Sequence, residues 1–329
     1  MRKLLLNSSA IVTLAALTAG TAIADVSISG TAEWFHASRN SEVTASNGSY
    51  QGVANEVIFS FSNKTETGLD IGFTTEWNTS GTAGAIDESS ISIAGGFGKV
   101  VLGNNDSVAD AFAVESTDLI AEENSGLAPT SSSIRIDTDL ALGNGADVVK
   151  VAYYTPAIGG FTAGISVEDS GASATASAAT DTTTVGARYT MDLGGTTVSL
   201  SAAQAKQEQA AGVVDNVDKN MAIKLVSGNI SAIMATNNYT AADEDIDANG
   251  VAVSYNLGNG FVIGVYSDSS EDDLDAGEAY SASGAEVQYT IAAGLTAVLT
   301  HENYQYKRGT EASVADDGSQ SKLTIKAAF

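Results

Sequence analysis

The chain has 329 residues, no cysteine and a formal net charge of −25, with 40 acidic against 15 basic side chains. Without cysteine it has no disulfide framework, no thiol nucleophile and no Cys metal site, and so acidic a chain repels nucleic acid. Hydrophobic residues make up 43% and charged residues 17%, so the class of protein depends on how the apolar residues are distributed.

The N-terminus has the three parts of a secretory signal. Arg2 and Lys3 give a positive start, a mostly apolar stretch covers 4–17, and an A-x-A cleavage site lies at 22–24. That stretch is shorter than the roughly 20 apolar residues that a spanning helix needs. We therefore expect a Sec-type signal peptide, residues 1–24, to be removed from the mature chain.

The mature chain alternates apolar and polar residues with a period of two. In "EVIFSFS" (56–62), Val57, Phe59 and Phe61 share one face, and the final "SKLTIKAAF" (321–329) alternates in the same way. Such alternation predicts strands and does not fit a helix. About sixteen segments have this pattern: 25–36, 52–62, 69–79, 86–94, 98–104, 147–155, 161–168, 184–192, 196–205, 217–227, 229–238, 247–256, 260–268, 280–290, 294–305 and 319–329.

The connections between these segments are predicted to alternate in length. One set is short and rich in Gly and Asn, which favour tight turns: 63–68, 95–98, 157–160, 193–195, 227–229, 257–260 and 291–294. The other set is longer and polar, apart from the short 80–85: 37–51, 105–146, 169–183, 206–216, 239–246, 269–279 and 306–318.

Short turns on one side and long loops on the other are the plan of an outer-membrane barrel. Segments of about 9–11 residues match tilted strands that cross a bilayer. A soluble sandwich would mix its connection lengths, and a β-solenoid would show a fixed repeat, which is absent. We predict an all-β, antiparallel, up-and-down transmembrane barrel of about 16 strands over 25–329, its last strand paired with its first because an edge cannot stay open in lipid.

Three stretches and the last residue carry a family resemblance: "DVSISGTAEW" after the signal, "SGTAGAIDESSISIAGGFGKVVLGNNDSVADAF", "VAYYTPAIGGFTAGISVED" and the terminal Phe329. They resemble the bacterial general porins of the outer membrane, in particular those of alphaproteobacteria. The resemblance implies a sixteen-stranded barrel that assembles as a homotrimer, with a third loop folded into the lumen and a basic cluster on the facing wall. It also implies that the outer-membrane assembly machinery recognises Phe329, which we place in the outward aromatic girdle.

The longest connection has features of a loop with a function, since loops beyond about 15 residues are usually functional or disordered. Asp106 or Ser107 is placed to cap a helical turn that carries Val108, Ala111 and Phe112. An apolar face on a loop predicts packing against another surface, which inside a barrel is the inner wall. We therefore expect residues 105–146 to form a constriction loop within the water-filled lumen.

The charges at this constriction decide which ions pass. The loop supplies the acids Asp106, Asp110, Glu115, Asp118, Glu122, Glu123, Asp137 and Asp139. Strand parity points Lys150, Arg188, Lys224, Lys322 and Lys326 into the lumen, and Arg135 is a further base within the loop. For each loop acid, the alternative interpretation is an ordinary solvated carboxylate on the loop surface, with no role in the constriction.

Acids outnumber bases about threefold, and rings of Asp and Glu favour cations. We therefore predict a weakly cation-selective channel for passive diffusion of small hydrophilic solutes and ions. Two alternatives stay open: a porin specific for a sugar or nutrient, and a surface barrel or adhesin that forms no channel.

Other sites are weakly supported by the sequence. The acids Asp243, Asp245 and Asp247 have part of a Ca²⁺-loop spacing but lack its twelfth-position Glu, so a hydrated loop surface and a Ca²⁺ site both remain, as does bridging to lipopolysaccharide. No hydrolase motif is present, and His36 and His301 suit the rim or the lipid interface. We expect no enzyme activity and no other cofactor.

Overall fold

The computed structural model describes residues 12–13, 25–42, 47–79, 85–121, 148–168, 181–209, 212–275, 278–307 and 316–329. Sixteen strands form one closed antiparallel barrel, in which each strand pairs with the next and the last pairs with the first. The predicted fold is confirmed. The strands are β1 (Asp25–Ser41), β2 (Gly48–Lys64), β3 (Asp70–Asn78), β4 (Ala85–Gly95), β5 (Gly98–Asn104), β6 (Val149–Tyr154), β7 (Phe161–Glu168), β8 (Thr182–Asp192), β9 (Thr196–Gln207), β10 (Asn216–Ser227), β11 (Ile230–Thr240), β12 (Asp245–Gly258), β13 (Phe261–Asp272), β14 (Ala279–Ala292), β15 (Leu295–Lys307) and β16 (Asp316–Ala328).

The two faces of the barrel wall differ in chemistry. Outward side chains such as Val151, Leu200 and Met221 are apolar and exposed, as expected where the surrounding medium is lipid. Inward side chains such as Thr184 and Asn220 are polar and buried inside the barrel. The period-two pattern of the sequence therefore corresponds to an apolar exterior and a polar lumen.

The seam between β16 and β1 is held at both ends. On the side of the short turns, the Phe329 N–H donates to Gly30 O over 3.1 Å, and the Gly30 N–H donates to Phe329 O over 3.0 Å. On the opposite side, the buried Arg39 donates to Asp316 at 2.7 Å and to the Tyr304 hydroxyl at 2.9 Å. The barrel thus closes without an unpaired strand edge.

The long-loop side was predicted with strands that end too early. The sequence pattern predicts a connection over 37–51, yet β1 runs to Ser41 and β2 begins at Gly48. Similarly, β11 and β12 leave only 241–244 between them, and β13 continues to Asp272. The apolar outward row stops at the edge of the lipid while backbone pairing continues beyond it, so hydrophobic periodicity ends before the strand does.

The opposite side has the predicted tight turns. Between β12 and β13, Gly258, Asn259 and Gly260 follow one another with φ values of +77°, +53° and +85°. Asparagine and glycine adopt this left-handed region at low cost, so the "GNG" sequence fixes the turn.

The N-terminus contributes one short pairing. Val12–Thr13 forms a two-residue strand whose partners are Ile28 and Ser27. The rest of the expected signal peptide lies outside the described residues, so its removal stays a prediction. Within the described ranges, no helix is both long and apolar enough to cross a membrane.

Candidate functional site

The constriction loop begins directly after β5 with a short helix, α1 (Val108–Phe112). The Ser107 hydroxyl caps it by accepting a 3.1 Å hydrogen bond from the Asp110 N–H. Val108 and Phe112 are buried as predicted, but the third buried residue is Ala109, while Ala111 is exposed. The helix has a single turn, so the neighbouring strands decide which of its alanines is covered.

Hydroxyl groups of the inner wall bind the first turn of α1. The Val108 N–H donates to Ser166 Oγ on β7 at 3.1 Å, and the Ala109 N–H donates to Thr184 Oγ1 on β8 at 3.2 Å. The first N–H groups of a helix have no partner within the helix. Here the barrel wall satisfies two of them, which fixes α1 against β7 and β8.

The next part of the loop is bound by β10 and β13. The side chain of Asn220 accepts from the Val114 N–H and donates to the Val114 carbonyl, both at 3.1 Å. A short turn of 3₁₀-helix, Ser116–Leu119, follows, and the Ser116 hydroxyl donates to the buried Asp268 carboxylate. Asn220 satisfies both backbone groups of one loop residue, so its amide has a specific geometric role.

The last described residue of the loop, Ala121, is bound from two strands. Its N–H donates to Glu286 Oε1 on β14 at 2.9 Å, and its carbonyl accepts from Lys326 Nζ on β16 at 2.9 Å. Lys326 also lies 3.6 Å from Glu33 on β1. The described part of the loop, 105–121, therefore follows the inner wall from β6 to β16 and narrows the lumen at this level.

Three of the predicted wall bases bind backbone carbonyls of this loop. Lys150, only 2% exposed, donates to Asn105 O at the start of the loop. Arg188 makes long contacts of 3.4 Å with the carbonyls at the end of α1, and Lys326 holds Ala121 as described. These side chains do lie on the inner wall, but their cationic groups contact the loop.

The other two wall bases lie elsewhere on the inner face. Lys322 is 4.0 Å from Glu33, and its ammonium group lies 4.9 Å from the centre of the Phe35 ring. Lys224 shares the inward parity of Asp218 and Asn220 and is half-buried. Arg135, Glu122, Glu123, Asp137 and Asp139 lie outside the described residues, so their places in the constriction stay predictions.

The four described loop acids all remain accessible to some degree. Asp118 is exposed, whereas Asp106, Asp110 and Glu115 are half-buried. The Asp118 carboxylate also accepts a 3.1 Å hydrogen bond from the Glu115 N–H, which orders the 3₁₀ turn. The loop thus presents carboxylates but no described base.

The wall carries a second set of acids that is not among the predicted site residues. Glu33, Glu56, Glu76 and Glu88 point inward from the consecutive strands β1 to β4, and Glu76 faces Glu88 directly across a strand pair. Strand parity was the available signal, since each falls on the polar face of its segment. The predicted wall residues include only the bases of this face.

The acids considered for Ca²⁺ do not form a cluster. Asp247 accepts from the Asn238 amide at 2.9 Å, and Asp245 accepts from the Thr240 hydroxyl at 3.3 Å. Within the ranges that the structure describes, no three acidic or histidine side chains are grouped to hold a metal ion. Ca²⁺ binding near Asp243 stays a prediction.

The two histidines lie on the outer face, as strand parity predicts. His36 pairs across the seam with Leu323, and His301 is exposed, with Nδ1 2.9 Å from the Ser321 hydroxyl oxygen. A catalytic serine needs an oriented imidazole and an oxyanion site. A Ser–His contact alone on an exposed strand surface does not supply these.

Asn220 offers a direct test of the loop's position. We expect Asn220→Ala to increase current fluctuations and lower thermal stability, because it leaves both Val114 backbone groups without this partner, at about 1–3 kcal/mol per unsatisfied group. Single-channel recording and thermal unfolding measure these effects. The matched control is Asn238→Ala on the outward face of β11. Equal behaviour of the two variants would contradict the assigned role.

The sequence and the fold were compared with those of known proteins. The family model described as Gram-negative porin matches residues 10–329. The chain belongs to the Gram-negative porin family. A search of curated proteins finds no match. The porin's location is the outer membrane of a Gram-negative bacterium, and its family and fold are those of non-enzymatic channels.

Solved porin structures share the fold across nearly the whole chain. The anion-selective porin from Comamonas acidovorans has 15% identity and a TM-score of 0.65, covering 93% of this chain and 100% of its own. OmpT of Vibrio cholerae in its trimer form has 13% identity and a TM-score of 0.67, covering 93% of this porin and 99% of its own chain. At such identities the likeness shows the fold alone, so ion preference depends on the residues of this lumen.

Proposed function

We propose that this porin is a diffusion channel for small hydrophilic solutes and that it weakly prefers cations. The observation that supports this best is the position of the wall bases. Lys150 and Lys326 are 2% and 5% exposed and donate to loop carbonyls. A permeating anion has little access to their ammonium groups, and each carbonyl dipole opposes part of the positive charge.

The acids of the lumen have a different arrangement. Asp118 is exposed on the loop, and inward carboxylates on the wall are half-buried at Glu33 and Glu56. Glu76 and Glu88 also point inward but are buried, as Lys150 and Lys326 are. Carboxylates at a pore lining attract cations and repel anions. Because the acids outnumber the accessible bases, the field along the path favours cations, although a related fold is found in an anion-selective porin.

The preference is measurable as a reversal potential in a KCl gradient across a planar bilayer. We expect the zero-current potential to have the sign of the K⁺ equilibrium potential. Asp118→Asn should move it toward zero, because one exposed carboxylate is lost. Asp317→Asn on the outward face of β16 is the control and should leave it unchanged. A potential of the opposite sign in the wild type would exclude cation preference.

The other parts of the proposal follow from the fold and its relatives. Liposome swelling with sugars of increasing size should show a smooth size limit; selective inhibition by one sugar would favour a substrate-specific porin.

We propose a homotrimer, supported by the trimer form of the related OmpT. The exposed apolar exterior suits outer-membrane lipid and lipopolysaccharide as surroundings.

A further inference from the structure

Four inward-facing glycines of the barrel wall contact the constriction loop at a regular spacing. The loop residues involved are four apart in sequence, and each lies directly over a glycine. The pairs are Val108 with Gly164 on β7, Phe112 with Gly186 on β8, Ser116 with Gly250 on β12 and Ile120 with Gly264 on β13. Between them the loop packs on the small side chains of Ala203, Ala205 and Ala235.

These four glycines are not required by backbone conformation. None of them has the positive φ that the turn glycines have, and a glycine inside a strand weakens it. Such a glycine marks a place where another group approaches the backbone closely. Here the approaching group is the loop, so the missing side chain serves to make space.

The space is tightest at two positions. A methyl group on Gly186 would lie 2.6 Å from Phe112 Cβ, and one on Gly250 would lie 2.6 Å from Ser116 Cβ. The methyl group on Gly250 would also overlap the Asp268 carboxylate of the neighbouring strand, which binds the Ser116 hydroxyl. Carbon atoms in contact prefer about 3.5–4.0 Å, so both loop residues would have to move. At Gly264 the nearest atom, at 2.7 Å, is Cδ1 of Ile120, the end of a side chain that can rotate.

We propose that these glycines set the width of the constriction by letting the loop lie close against the wall. Gly186 and Gly250 each pair with strands on both sides, so the ladder holds the wall in place. An added methyl group therefore displaces the loop toward the lumen axis by on the order of 1 Å, given ordinary carbon–carbon contact distances. This inference rests on the proposed function as a diffusion channel, but it does not depend on whether the channel prefers cations.

The test compares single-channel conductance and sugar uptake for Gly186→Ala and Gly250→Ala with the wild type. We expect lower conductance, and a loss of uptake that is greatest for the largest sugars. Gly264→Ala should have a smaller effect because Ile120 can rotate. The matched control is Gly72→Ala on β3, whose methyl group would meet only the rotatable Ser92 hydroxyl at close range among the described residues and no described part of the loop.

A double variant separates displacement of the loop from damage to the strand. Ser116→Gly removes the loop atoms that the new methyl group on Gly250 would meet, and it also releases the Asp268 carboxylate, which can then rotate away from the methyl group. Gly250→Ala with Ser116→Gly should therefore recover most of the conductance. Unchanged or increased conductance in Gly186→Ala and Gly250→Ala, or no recovery in the double variant, would overturn the proposal. If one alanine variant does not assemble, the other decides. The reversal potential is measured on the same variants. A change in conductance without a change in reversal potential shows that the width of the constriction has changed and the ion preference has not.

Discussion

Deleting Phe329 is expected to reduce assembly of the barrel far more than it changes the conductance of the molecules that do assemble. The residue makes two backbone hydrogen bonds with Gly30 at the seam, of 3.0 and 3.1 Å. Each contributes about 0.5–1.5 kcal/mol, so losing both shifts the folding equilibrium by about 5- to 150-fold. The constriction lies among other residues and should keep its shape.

Replacing Phe329 by alanine separates the contribution of its backbone hydrogen bonds at the seam from that of its aromatic ring. Phe329→Ala keeps the backbone bonds but removes a ring that is 47% exposed and lies against Gly30. If the assembly machinery recognises the ring, as the resemblance implies, this variant should fold in detergent yet assemble poorly in cells. Phe97→Ala is the control, since Phe97 is 46% exposed on the same side. Normal assembly of the deletion variant would contradict the role of the seam.

Much of this fold was predictable because a sheet has a period of two. The position of one apolar residue fixes the facing of its neighbours, and this placed Arg188 and Lys326 on the inner wall. The same rule also points Glu76 and Glu88 inward, so these wall acids were equally predictable. Strand ends were less predictable where both faces become polar, as at Ser41 and Gly48.

The contacts of the constriction were not predictable. Asn220 meets Val114 over 106 positions of sequence, and no local pattern indicates which inward side chain an irregular loop will contact. The same limit applies to the bases, because strand parity predicts which face of the barrel a side chain lies on but not which group it contacts. Parity suggested that Lys150 and Lys326 shape the field in the pore, whereas the structure shows that they bind loop carbonyls.

Replacing Lys150 and Lys326 together by methionine is expected to loosen the constriction loop at both described ends. Lys150 donates to Asn105 O and Lys326 to Ala121 O. Leaving such carbonyls without these partners costs about 1–3 kcal/mol each. The double variant should show larger current fluctuations and close at lower voltage, with each single variant intermediate. Planar-bilayer recording at stepped voltages measures both quantities.

Lys224→Met is the matched control, because it removes the same charge from the inner wall at β10 without removing a described hydrogen bond to the loop. Loss of positive charge alone would shift the reversal potential of all three single variants without adding fluctuations. Loss of a loop anchor adds fluctuations to Lys150→Met and Lys326→Met only. If Lys224→Met fluctuates as much as these two, the lysines act through the field of the pore. If Lys224→Met adds no fluctuations, the buried cations of Lys150 and Lys326 hold the loop.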